Sequence, residues 1–184
     1  MRLMLASSSP RRRELLETLG YEVVVARPST DETPQPGESA PALVQRLALA
    51  KAQSIQAENS DVVVAADTVV TIDRDLIGKP ADRADAQAIL ERLSGRSHTV
   101  VTGYCVRCGD RSEVAAVATT VHFRNCTTAE IASYVATGEA DDKAGAYGVQ
   151  GRGGALVERV DGSYTNVVGL PLTEVLAAVT KLSP

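Results

Sequence analysis

The spacing of apolar positions changes several times along this chain of 184 residues, and each change predicts a different element. RLMLAS, apolar from Leu3 to Ala6, reads as a short buried strand. From Pro10 the apolar residues Leu15, Leu16 and Leu19 recur at helical spacing until Gly20 ends the pattern, with Ser9 as N-cap and Pro10 in the first helical position. YEVVVA, residues 21 to 26, reads as a second strand. Residues 27 to 40 hold three of the eight prolines and several acids, so they predict a loop without regular structure, of a length that often carries function. A helix is expected from about Pro41 to Glu58. The run DVVVAADTVVTID, apolar without alternation from Val62, predicts a strand buried on both faces.

Asp82 is placed to cap a helix ending at Gly95. SHTVVTGYCVRC and RSEVAAVATTVHF then form a hairpin turned at Gly109-Asp110. Thr127 and Glu130 make a capping box for a helix closed by Gly138. A segment with five glycines in the ten residues from Gly145 follows, then a strand, a turn at Asp161-Gly162 and a last helix opened by Pro171. Strands and helices alternate early and hairpins dominate later. The fold class expected is therefore α/β, a mixed twisted sheet with flanking helices, as one domain over residues 1–184 with two lobes around a cleft.

Three places break the pattern with charge. Arg11, Arg12 and Arg13 occupy the first turn of the first helix, where cations oppose the dipole by roughly 0.3 to 1 kcal/mol each. On a wheel of about 100° per residue Arg12 falls among the leucines, Arg11 at their edge and Arg13 well away. Arg12 thus either lays its stem on carbon with its head in water or meets an anion. Lys51 sits inside the stripe of Leu43, Val44, Leu47, Ala48 and Ile55, and Asp67 shares a strand face with Val63, Ala65 and Val69. A buried lysine and a buried carboxylate both need partners. One reading is a core ion pair of Asp67 with Lys51 or Arg12. The other joins Ser7, Arg11, Arg12, Lys51 and Lys79 with the carboxylates Asp31, Glu32 and Asp67 in a site for polyphosphate and a divalent cation.

Composition narrows the classes. No apolar run approaches the roughly 18 residues of a membrane span, and the N-terminal residues do not have the order of a signal peptide, so a cytoplasmic protein is expected. Three cysteines make no disulfide framework. A net charge of −4 and six aromatic residues without tryptophan argue against nucleic-acid binding. Cys105 and Cys108 lie in a predicted strand, where residues three apart face opposite sides, so neither zinc nor redox chemistry is expected of them. His98 and His122 read as structural. GAYGVQGRGG is followed by no helix and lacks Gly-Lys-Ser/Thr, so its glycines serve turns and close approach. Gln150 within it either reads a base edge or is an ordinary loop glutamine.

LASSSPRRRELL, the acidic DE before the long helix, AADTVV, GKP, DKAGAYGVQG and GSYTNVVGLPL occur in order from residue 5 to residue 172. Together they resemble the Maf family of nucleoside triphosphate pyrophosphatases. The resemblance implies a two-lobed fold similar to that of inosine triphosphatases and release of pyrophosphate from a nucleoside triphosphate with Mg²⁺ or Mn²⁺. ADT with AYGVQG resembles the branch acting on dTTP and UTP, with CTP and modified pyrimidine nucleotides as further candidates. The sibling branch acting on 7-methyl-GTP tends to carry SDQ in place of ADT. The resemblance makes Asp67 the proton acceptor, Glu32 and Asp67 metal-coordinating groups, and Ser7, Arg11, Arg12, Lys51 and Lys79 triphosphate contacts. It makes Arg11, Thr68 and Gln150 markers of substrate preference. It also suggests a homodimer and a role in clearing nucleotide pools. The alternatives are a 7-methyl-GTP pyrophosphatase and a non-catalytic nucleotide-binding regulator of cell division.

Overall fold

The computed structural model describes residues 1–183. In chain order the elements are β1 (Arg2–Ala6), α1 (Pro10–Thr18), β2 (Glu22–Ala26), α2 (Ala40–Gln53), β3 (Val62–Ile72), β4 (Asp75–Ile77) and α3 (Arg83–Leu93). They continue as β5 (Ser97–Cys108), β6 (Arg111–Phe123), α4 (Thr128–Val135), β7 (Val157–Asp161), α5 (Tyr164–Val168) and α6 (Leu172–Leu182). The strands hydrogen-bond in the order β2-β1-β3-β5-β6-β7, with β4 also on β3. The sheet is mixed, because β1 runs parallel to β2 and β3, whereas β4 and β7 pair antiparallel with β3 and β6. The chain forms two compact units and passes between them within β3, β5 and β6 and again between α5 and α6.

The first unit comprises Met1–Thr68, Thr102–Val117 and the chain from Gly169. Parallel strands need a crossover, and α1 supplies it between β1 and β2. The two-residue period of the strands sends alternate side chains to two cores. Leu3, Leu5, Val62, Val64 and Ala66 pack with Leu16 of α1 and Val175 and Val179 of α6. Ala6, Val63 and Ala65 pack with Ala48 and Ala52 of α2. The helix α2 lies so close to β5 that a Cβ at Gly103 would collide with the backbone of Val44. Cys105 belongs to the α2 side and Cys108 to the other, as their spacing predicts.

The second unit comprises Val69–Val101 and Ala118–Val168. Its core joins Val70, Ile72, Leu90, Leu93, Phe123, Ile131, Tyr134 and Tyr147. Asp82 caps α3 by accepting from the Asp85 amide at 2.8 Å, and Thr127 and Glu130 form the expected capping box on α4. The hairpin turns at Gly109-Asp110 as anticipated.

Four local expectations need correction. The helix α2 stops at Gln53 rather than near Glu58, because the Ser54 hydroxyl takes the Lys51 carbonyl at 2.8 Å and Arg107 takes the carbonyls of Ala52 and Ile55 at 3.2 and 2.9 Å. Ser9 stands at the N-cap of α1 but makes no capping bond with its side chain; its own amide donates to the Ser7 hydroxyl instead. Leu19 is exposed, since the helix has already ended at Thr18 and the chain turns at Gly20, whose φ is 83°. The helix α5 was not anticipated, because five residues are too few to show a period. Among the described residues no helix is long and apolar enough to cross a membrane.

Candidate active site

The strand β1 ends by delivering Ser7, which is buried. Its hydroxyl accepts hydrogen bonds from the Ser9 amide at 3.2 Å and from Arg12 Nη1 at 3.1 Å. Arg12, in the first turn of α1, also donates from Nε to the Gly169 carbonyl at 2.7 Å and from Nη2 to Thr68 Oγ1 at 3.0 Å. Thr68 Oγ1 is in turn 2.9 Å from Thr102 Oγ1. The guanidinium therefore sits in a polar cradle made by β1, β3 and the segment before α6, and three of its five donors are committed within the protein. Burial lowers its pKa, as does the neighbouring charge of Arg11, while Asp67 and Glu32 oppose both; arginine stays charged throughout. Arg11 is half-buried on the same turn. Arg13 is exposed and pairs with Glu17 at 2.7 Å one helical turn on, so the three arginines divide as the wheel predicts.

The second half of the arrangement centres on Lys51, in the last turn of α2 and only 6% exposed. Its ammonium lies 2.6 Å from Asp67 Oδ1 and 2.6 Å from Glu32 Oε1. Asp67 points to the same side of β3 as Val63 and Ala65, which face α2, so the carboxylate meets the lysine across the strand–helix contact. The anticipated ion pair of Asp67 with Lys51 exists, yet neutralising one ammonium needs one carboxylate. Glu32 is the second, brought in from an exposed loop with its own side chain 55% accessible. Asp31, its neighbour, accepts from the Thr33 amide at 2.9 Å, and hydrogen bonds from the Thr33 side chain and then its amide lower its pKa. Of the acidic pair it is Glu32 that reaches Lys51.

Lys79 and Gln150 belong to the second unit. Lys79 is exposed in the connection between β4 and α3. Gln150 is exposed at the head of a short 3-10 segment, Gly151–Leu156. Tyr147, three residues before it, bonds His98 Nε2 through its hydroxyl at 2.8 Å, and burial pushes the His98 pKa down to about 4. The structure thus gathers Ser7, Arg11, Arg12, Glu32, Lys51, Asp67 and Thr68 on one unit and leaves Lys79 and Gln150 on the other.

Residues 2–182 match the family profile described as Maf-like protein. The chain belongs to the Maf family. A curated Maf relative from Symbiobacterium thermophilum, named dTTP/UTP pyrophosphatase, is 49% identical over 180 residues, covering 97% of this chain and 93% of its own. One from Desulfotalea psychrophila with the same name is 50% identical over 177 residues, covering 95% and 91%. Among solved structures, a nucleoside-triphosphatase / dITP/XTP pyrophosphatase from Mycobacterium abscessus overlays at a TM-score of 0.43 and 18% identity, over 67% of this chain and 74% of that one, too loosely to bear on fold or activity.

Two supports of this Maf protein were missed in its sequence. Arg46 grips Glu38 with two bonds, Nε to Oε1 at 2.7 Å and Nη2 to Oε2 at 2.8 Å, and donates to the Thr33 carbonyl at 3.1 Å. Glu139 accepts from the amides of Arg152 and Gly153 at 3.1 and 3.0 Å, while the Tyr134 hydroxyl accepts from the Gly148 amide at 3.2 Å and donates to Glu139 at 3.2 Å. A Cβ at Gly153 would collide with Gly148, so the glycine-rich Maf segment is tight turns closed over a carboxylate. Glu38 precedes α2, so no helical period links it to Arg46, and only a search for paired charges flanking the acidic loop would have suggested the pair.

Proposed function

We propose that this Maf protein hydrolyses dTTP and UTP to the monophosphate and pyrophosphate. The observation that carries the reading is the buried Lys51 held between two carboxylates beside the Arg12 cradle, in a chain about half identical along nearly its full length to proteins named dTTP/UTP pyrophosphatase. Cations at a helix start receive phosphate oxygens, and a carboxylate among them serves as proton acceptor.

In this reading Ser7, Arg11, Arg12 and Lys51 bind and orient the triphosphate, with Lys79 as a further phosphate contact, and Asp67 takes the proton from the water that attacks the α-phosphorus. The cations offset the charge that develops on the pyrophosphate leaving group. Arg11, Thr68 and Gln150 set the preference for the base; Thr68 does so from a fixed position, bonded to Arg12 and Thr102.

A divalent cation, Mg²⁺ or Mn²⁺, fits the donors present. Glu32 and Asp67 already bring one oxygen each to a single cation, Lys51 Nζ, and Mg²⁺ is commonly bound by one or two carboxylates together with substrate phosphates. Among the described residues no three His, Cys, Asp or Glu converge, which leaves the remaining ligands to substrate and water. When bound, the cation supplies neutralising charge on the phosphates. The same reading carries over a cytoplasmic homodimer, checked by size-exclusion chromatography with light scattering and by fractionation of cells.

The deciding experiment is pyrophosphate release from a panel of nucleoside triphosphates with Mg²⁺. Turnover is expected first with dTTP and UTP. Release from 7-methyl-GTP alone would move the chain to the sibling activity, and tight nucleotide binding without any release would favour a regulator.

A further inference from the structure

The loop of residues 27 to 39 has no regular structure, yet Glu32 within it is held to Lys51 at 2.6 Å. An exposed loop of that length does not hold a glutamate in one place by itself. What holds it is a set of bonds within the loop and to Arg46 of α2. Arg46 takes both oxygens of Glu38, whose side chain is half-buried against it, at 2.7 and 2.8 Å. The same Nη2 reaches the Thr33 carbonyl at 3.1 Å, one residue beyond Glu32. Glu38 Oε2 accepts the Gln35 amide at 3.0 Å, and Asp31 Oδ1 accepts the Thr33 amide at 2.9 Å. Arg46 and Lys51 are both on α2, so one rigid helix carries the clamp and the ammonium that Glu32 meets.

We propose that Arg46 and Glu38 form a positioning clamp that folds the acidic loop onto α2 and thereby sets Glu32 against Lys51 and Asp67. The proposal rests on the reading of Glu32 as a cation-holding carboxylate. In this proposal Arg46 and Glu38 act through Glu32. A planar guanidinium is needed, because one group must serve two carboxylate oxygens and a carbonyl at once, which a lysine ammonium cannot match in geometry. The pair is stable to mild acid, since the Arg46 hydrogen bonds and the Gln35 amide hold the Glu38 pKa down at about 2.

The test uses Arg46→Gln, Glu38→Gln, their double variant and Arg46→Lys. The readouts are hydrogen exchange at the Thr33 and Gln35 amides, pyrophosphate release from dTTP and UTP, and the Mg²⁺ concentration needed for half-maximal turnover. Each single glutamine variant is expected to lose amide protection, to lower kcat/KM between about tenfold and a hundredfold, and to raise the Mg²⁺ requirement. The double variant should be no worse than the poorer single one, as for two ends of one contact, and Arg46→Lys should fall between wild type and Arg46→Gln. Arg46→Lys keeps the charge and serves as the folded comparison if a glutamine variant loses its helical signal. The clamp is refuted if the amides exchange freely while turnover and Mg²⁺ requirement stay within about twofold, or if protection is unchanged in all variants. Absence of pyrophosphate release by the wild type would instead remove the functional reading, and the exchange measurements would still decide the clamp.

Discussion

The ammonium of Lys51 lies 2.6 Å from the carboxylate of Asp67, with the lysine almost wholly inside the protein. Removing the ammonium leaves a largely buried carboxylate with its principal partner gone. Lys51→Met is expected to destabilise the fold by about 3 kcal/mol, the low end for breaking a buried pair, because the Arg12 charge still acts on Asp67. Urea unfolding of the two proteins measures it, and an unchanged midpoint would show that the pair contributes nothing net.

Asp67→Asn keeps the shape but cannot take a proton. Turnover of dTTP and UTP should fall by at least about a hundredfold while nucleotide binding by calorimetry persists. A variant retaining most of its kcat would remove Asp67 as the base.

The three arginines should separate in function as they do in space. Arg13→Ala is expected to leave kcat/KM within about twofold and to cost about 0.3 to 0.5 kcal/mol of stability, the value of an exposed pair one turn apart. Arg12→Ala should reduce turnover severely, since it removes bonds to Ser7, Thr68 and Gly169 together. Equal damage from the two variants would overturn the division.

Because Glu32 and Asp67 meet at Lys51 and, among the described residues, no group of three His, Cys, Asp or Glu converges, cation binding should be cooperative with nucleotide. Mn²⁺ followed by electron paramagnetic resonance is expected to bind weakly to the free protein and at least about tenfold more tightly with UMP and pyrophosphate present, an enhancement that Glu32→Gln diminishes. Tight Mn²⁺ binding without nucleotide would point to ligands beyond Glu32 and Asp67.

Burial holds His98 neutral, with its pKa at about 4 against an ordinary 6.5. The unfolded chain therefore binds a proton that the folded one refuses, and stability falls as pH drops from about 6.5 to about 4. The loss is on the order of 3 kcal/mol across that window. His98→Leu should flatten this limb of a denaturation–pH profile. The acid contributions of Glu38 and Glu130, both held at about 2, should remain in a lower window, between about 4.5 and 2.

Much of the fold was legible because its signals are local. Asp82, the Thr127–Glu130 box, the Gly109-Asp110 turn and the unbroken apolar run of β3 each act within a few residues, so the chain itself displays them. The end of α2 was not legible, because Arg107 on β5 decides it. The short helix α5 was invisible for want of length. In the site, Lys51 and Asp67 betrayed themselves as charges in apolar stripes, whereas Glu38 lies in a polar loop and Arg46 off the apolar stripe of α2, so neither carried such a mark.

Sequence by itself determined which residues were out of place: a lysine and an aspartate where packing calls for carbon, and arginines at the wrong end of a helix dipole. It also carried the motifs that identify a Maf protein. Only the tertiary structure decided who meets whom. Glu32 joins Lys51 beside Asp67, Arg12 spends three donors on Ser7, Thr68 and Gly169, and Arg46 closes on Glu38. Desolvation makes a buried charge costly wherever the chain places it, and that cost is readable from pattern alone. The partner that offsets it can come from anywhere along the chain, and packing of β1, α1, α2 and β3 selects it.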